Sequence, residues 1–175
     1  MEKKNLHMSY GFITGIIMVI CQVIFYMSGI AFKPGMQAVG YLVFIPFLIG
    51  VIMECVAYSK ANDGFVTFGN VFGSGFKTTA IITLVMLAWA IISMFVFPDM
   101  KTKAIEMARD KMVQDQKATD EQVEMGINMM QKYWTIFLIG GTIIGDLFWG
   151  LLFSLIGGAV AKKKGPRPMT AADNF

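Results

Sequence analysis

The sequence predicts an all-α integral membrane protein, a four-helix bundle with a helical hairpin outside the membrane. Three observations predict it. The chain of 175 residues is 55% hydrophobic and only 15% charged, whereas soluble domains average roughly 25% charged residues. The charges gather at the two termini and in Asp99–Lys132, with long uncharged runs between. Four of those runs reach the length of about 20 apolar residues that crosses a bilayer. The whole chain, residues 1–175, reads as a single membrane domain.

The first span covers Ser9–Phe32. Lys3 and Lys4 precede it, as in a signal peptide, but a signal core is about 7–15 apolar residues and this run is longer. It therefore reads as a retained helix. The Lys33-Pro34-Gly35 step turns the chain, because proline and glycine both resist helix continuation. The second span covers Met36–Tyr58. Pro46 lies near its middle and lacks a backbone donor, so a kink is expected there.

Residues Asn62–Gly75 alternate phenylalanine and glycine. Phe65, Phe68, Phe72 and Phe76 recur at helical spacing on one face. Gly64, Gly69, Gly73 and Gly75 make this a weak helix on its own. The segment is expected to be an interfacial amphipathic helix on the cytoplasmic surface, its phenylalanines toward acyl chains. The third span follows, Phe76–Phe97, stopped by Pro98.

Asp99–Lys132 holds six Lys/Arg and seven Asp/Glu. Ile105 and Met112 mark one apolar stripe, and Val123, Ile127 and Met130 mark another. Thr119 and Gln122 have capping-box spacing, in which each residue's side chain bonds the other's free backbone group. The region is thus an outer helical hairpin, whose second helix can run on into the fourth span. That span covers Tyr133–Ala161, with Tyr133 and Trp134 as interface anchors. Lys162, Lys163 and Lys164 end it, and the tail Gly165–Phe175 is expected to be disordered.

The even number of spans puts both termini on one side. Eight Lys/Arg fall on that side and seven on the other. Six of those seven belong to the hairpin, where acids balance them. The three lysines directly after the fourth span decide the orientation, and the positive-inside rule makes both termini cytoplasmic.

Several classes of function are set aside. Cys21 and Cys55 lie in apolar runs with no C-x-x-C, and His7 is the one histidine, so no zinc or multi-histidine site is expected. No H-E-x-x-H, G-x-S-x-G or P-loop pattern occurs. No cofactor, no enzymatic activity and no nucleic-acid partner are expected. Methionines 100, 107, 112, 125, 129 and 130 suit cuprous copper by chemistry, but they track the hairpin's apolar stripes and read as packing.

The polar residues inside the spans are the candidate sites. A charge at mid-bilayer costs about 2.5–3.5 kcal/mol on insertion scales, so Asp146 should face protein or water. Asp146, Gly150, Ser154 and Gly158 are four apart and share a face, and Gly141 and Gly145 add a G-x-x-x-G step. Small residues at that spacing let a second helix approach. Gln22, on a first-span face with Gly11 and Gly15, lies at a matching depth and can bond a carboxyl. Close packing of spans one and four, with Gln22 bonded to Asp146, is the expectation. Asp146 is then either a proton or cation site or a neutral carboxyl that holds helix register. Glu54 and Lys77, near the cytoplasmic ends of spans two and three, either pair as ions or snorkel to the interface.

The order of three features resembles one known family. They are the opening "YGFITGIIM", the stretch "GFVTFGNVFGSGFKT", and "ATDEQVEMGINMMQKYW" leading into a glycine-rich last helix with a lysine end. This order is similar to the "domain of unknown function 4199" group of four-span bacterial membrane proteins. The resemblance implies a location in the bacterial inner (cytoplasmic) membrane. It implies no reaction and carries over no catalytic residue.

The functional expectation is a non-enzymatic accessory or scaffolding subunit of the membrane. The lipid bilayer is its first partner, with a second copy or another membrane protein beside it. The alternative is a small proton- or cation-coupled transporter using Asp146.

Overall fold

The chain is all-helical among the described residues, which are 5–33, 36–114 and 119–165 of a computed structural model. Six α-helices follow in order: α1 Leu6–Met27, α2 Phe44–Ala61, α3 Phe68–Val96, α4 Met100–Gln114, α5 Asp120–Lys132 and α6 Trp134–Val160. Four helical segments are long and apolar enough to cross a membrane: α1, α3, α6 and Ala38–Ala61, which contains α2. Their outward faces expose Ile13, Ile20, Leu84, Ile91, Ile144 and Phe148. Water would not tolerate so wide an apolar belt, but acyl chains do.

The element boundaries show what backbone chemistry overrode. α1 stops at Met27, short of the expected Phe32, because Gly29 takes the left-handed conformation (φ 67°) and turns the chain into a short 3₁₀ segment. Pro46 does not kink a helix centre. It is the third residue of α2, where its missing N–H matters little, and Gln37–Val43 ahead of it form a 3₁₀ stretch. The Asn62–Gly75 segment is not a separate interfacial helix. From Phe68 on it forms the first turns of α3, and Thr67 and Asn70 cap that helix reciprocally. Burial of Val71, Ser74 and Gly75 against neighbouring helices outweighs the poor helix propensity of the glycines. Phe68, Phe72 and Phe76 still stack along one face, with centroids 6.2 and 6.1 Å apart.

α4 and α5 form the expected hairpin around Ile105, Val123 and Ile127. The Thr119–Gln122 capping box starts α5. The hairpin does not run smoothly into α6. Tyr133 leaves helical geometry (φ −110°, ψ 21°) and separates the two helices. Beyond α6, Lys164 N–H donates to the Gly64 carbonyl at 2.7 Å, and the buried Ser59 hydroxyl bonds the Lys162 carbonyl. The lysine end is thereby tied to the α2–α3 connection. The tail predicted to be disordered lies, from Pro166 onward, outside the described residues, as do Pro34 and Gly35.

In the bundle α3 packs on α1, α2 and α6, and α2 packs on α1 and α6. α1 and α6 stand on opposite sides of the α2–α3 contact. The end of the bundle where both termini lie is closed by small residues meeting hydroxyl side chains. A Cβ placed on Gly50 would lie 2.9 Å from the Thr14 Cβ, and one on Gly150 2.7 Å from the Thr79 Cβ. Cys55 fills the space between Gly75 and Gly157. Phe44, Phe47, Trp149 and Phe153 clasp α2 to α6 nearer the hairpin end.

Candidate functional site

A cavity of about 360 Å³ opens where α1 and α6 fail to meet. Met18 and Gln22 of α1, Met86 of α3 and Asp146 of α6 belong to its wall. Met100, Ala104 and Met107 of α4 line it on the hairpin side. The wall is largely apolar, with polar groups from Gln22, Tyr26, Trp134 and Asp146 that can orient a ligand. That is the usual composition of a small-molecule site.

Asp146 sits twelve residues after the first residue of α6 and fourteen before its last. It is therefore about 18–21 Å from either end. It is 7% exposed, and its Oδ2 has no hydrogen-bond partner among the described residues. An unpaired buried carboxyl oxygen is costly, and each one calls for an explanation such as a bound proton, water or ion. Asp146 belongs to the cavity wall, while its Oδ2 is itself buried.

Gln22 faces the same cavity but makes no hydrogen bond to Asp146. The expected close packing of the first and fourth spans does not occur, because α3 takes the partner faces of both. Gly11 and Gly15 meet Ile81 and Val85 of α3, not α6. Gly150, Ser154 and Gly158 form the α6 seam with α3, against Thr79, Gly75 and Phe68. Gly141 and Gly145 have open space around them and take no part in that seam. The four-residue spacing coincides with this seam in the C-terminal half of α6. Toward the hairpin the helices diverge, and the glycines no longer touch a neighbour.

Glu54 is wholly buried and does not snorkel. It accepts a hydrogen bond from the Ser74 hydroxyl at 2.6 Å, and its Oε2 has no partner among the described residues. Lys77 is exposed and makes no ion pair with it. Instead Lys77 lines a second cavity of about 320 Å³ with His7, Tyr58, Asn70 and Ser74, at the end of the bundle where the termini lie. Ser74 stands between that cavity and Glu54. Sequence reasoning placed Glu54 at the interface because it lies near the end of its span. The pattern that would have moved it inward is Phe47, Gly50, Val51 and Glu54, which share the buried face of α2.

Thr78, Thr79, Thr83 and Ser93 were also missed. Each is buried in α3 and bonds a carbonyl three or four residues back. At the hairpin end the Tyr26 hydroxyl donates to Asp99, and Lys103 Nζ lies 2.6 Å from the other Asp99 oxygen. Lys103 stands 5.2 Å from the Tyr26 ring centroid. This cluster pins α1 to the start of α4 beside the cavity. Its hydrogen bond from Lys103, and then that from Tyr26, holds the Asp99 carboxyl below the usual carboxylate range. Among the described residues no three of His, Cys, Asp and Glu gather as metal ligands.

No curated protein and no solved structure matches the chain. A family model described as "Protein of unknown function (DUF4199)" matches residues 9–163. The match takes in Gln22, Glu54 and Asp146, and it covers most of the 175 residues, so the chain belongs to this family.

Proposed function

We propose that the protein is a small non-enzymatic membrane transporter in which Asp146 takes up a proton or a cation. One observation carries this reading: a mid-span aspartate, whose buried Oδ2 has no hydrogen-bond partner among the described residues, belongs to the wall of a cavity that extends to the hairpin. A residue that only held helix register would sit in a closed seam, as Ser154 does with its hydroxyl bonded to the Gly150 carbonyl at 2.6 Å. The apolar wall suits a proton, or an organic cation whose body packs on Met18, Met86 and Met107. The location that goes with this reading is a bacterial inner membrane with both termini cytoplasmic, so that the cavity faces outward.

The test is flux across proteoliposomes, wild type against Asp146→Asn. Asparagine keeps the volume and removes the charge. The expected result is at least a tenfold loss of proton or cation flux in the variant. Equal flux in both proteins, or wild-type flux no higher than in protein-free vesicles, would defeat the reading.

An accessory or scaffolding role rests on a different observation, the outward methionines of the hairpin. Met125 and Met129 are 60% and 50% exposed on α5. Flexible thioether side chains on a surface suit an adaptable protein partner or a second copy. Replacing both with serine should abolish co-purification of any such partner and leave Asp146-dependent flux intact.

A further inference from the structure

We infer that Glu54 is the second carboxyl of a proton path whose first is Asp146, and that the path leaves the bundle past Ser74 at the end where the termini lie. The inference rests on the transport reading above and extends it to a residue nothing else assigns.

The two acids share unusual features. Each is buried inside a span, and each leaves one carboxyl oxygen without a partner. Each stands beside a cavity, and the two cavities lie at opposite ends of the bundle. Asp146 lines the one on the hairpin side directly. Glu54 is one hydroxyl away from the other, because Ser74 both donates to Glu54 and lines that cavity.

Between the two acids, α3 presents hydroxyls on two adjacent stripes. Ser74 and Thr78 face Glu54 of α2. Thr79 meets Gly150 of α6, and Gly75 meets Ser154. The same antiparallel register, carried one turn on, sets Thr83 at the depth of Asp146, with no hydrogen bond between the two. Ser74 and Thr83 are nine residues apart, or about 14 Å along the helix. Thr78, Thr79 and Thr83 fall within that interval.

Each of these hydroxyls donates to a carbonyl of its own helix, Thr83 to Thr79 at 3.0 Å and Thr78 to Ser74 at 3.2 Å. Each keeps lone pairs that can accept. Threonine in a helix divides between two χ1 rotamers because of this back-bond. Rotation therefore lets a hydroxyl take a proton from one side and release its own to the other. The balance is simple. One proton enters at a carboxylate facing one cavity, and one proton leaves from the carboxyl near the other. No covalent bond of the backbone changes.

The one basic side chain in this interval, Lys77, is exposed and lines the cavity at Ser74. The titratable neighbours are Cys55 and Tyr58 on α2, and His7 and Lys77 across the cavity from Ser74. On the other side they are Tyr26, Asp99 and Lys103. A packing role for Glu54 accounts for its burial. It does not account for an unpaired oxygen behind a cavity-lining serine.

The experiment uses the full chain in phosphatidylethanolamine/phosphatidylglycerol vesicles that trap a pH-sensitive dye, with a potassium gradient and valinomycin to impose a potential. Glu54→Gln should lower proton flux at least tenfold, as Asp146→Asn does. The double variant should be no slower than either, because the two groups act in series. Glu54→Asp should recover part of the flux. Wild-type flux in Glu54→Gln beside lost flux in Asp146→Asn would overturn the inference and leave the transport reading standing. Unchanged flux in both single variants would remove both. If Glu54→Gln does not fold, as judged by a monodisperse peak in detergent, Ser74→Ala decides. It leaves the acid in place and should slow flux several-fold, and unchanged flux would overturn the inference.

Discussion

Gly150 and Gly141 belong to the same helix and look alike in the sequence, but only one is held. A side chain on Gly150 would run into Thr79, which is fully buried and has no room to retreat. Overpacking of this kind costs about 1–3 kcal/mol. Gly150→Val should therefore lower the melting temperature in detergent by about 2–12 °C. Gly141→Val should leave it unchanged, since nothing lies within 4 Å. A scanning melt of both variants checks the contrast. The same pair shows what was legible at this scale. Asp146 stands out in the sequence because hydrocarbon penalises a charge, and it lines the cavity. Its relation to Gln22 was half legible: both line one cavity, but depth along separate helices does not say which helices touch. Glu54 was misplaced for the same reason. Its burial comes from α3 covering the side of α2 that the span's own length leaves near the interface.

At the scale of the element, hydropathy located all four long helices, and turn chemistry decided where they end. The capping box at Thr119 was readable because threonine and glutamine make the familiar pair. Its counterpart at Thr67 was missed because asparagine plays the second part. The hairpin raises a different matter, how it is held over the cavity. Its tie is Asp99, bonded by Lys103 and by Tyr26 at the end of α1. The folded-state pKa of Asp99 is depressed, so its contribution is present above the unfolded value of about 3.9 and lost as pH falls through the folded one. Lys103 is raised by its bond to Asp99, so its share is lost only in strong alkali. The hairpin should stay docked from about pH 5 to pH 9. A spin label at Thr102→Cys should show constant mobility across that window, and Asp99→Asn should mobilise it at pH 7. Release of the wild-type hairpin within the window would contradict this tie.

For the whole molecule, the architecture makes one strong demand: the start of α1, the end of α6 and the α2–α3 connection share a side, and the hairpin lies on the other. The tie between Lys164 and Gly64 is possible only in that arrangement. The positive-inside rule then predicts which side is cytoplasmic. Lys162, Lys163 and Lys164 directly follow α6, while the basic residues of α4 and α5 sit among acids in a folded hairpin, where they weigh little on topology. The orientation has a functional consequence, because it decides which compartment reaches Asp146 first. If the termini are cytoplasmic, the cavity under α4 collects from outside and the one at Ser74 opens to the cytoplasm. Single cysteines at Glu121 and Lys162, both exposed, can test this in intact spheroplasts with a charged, membrane-impermeant maleimide. Cys21 and Cys55 lie within the spans, and Cys55 is buried, so they should react little. Glu121→Cys should label in intact spheroplasts, and Lys162→Cys only after permeabilisation. The reverse pattern would keep the fold and both acids but invert the direction in which a proton travels from Asp146 to Glu54.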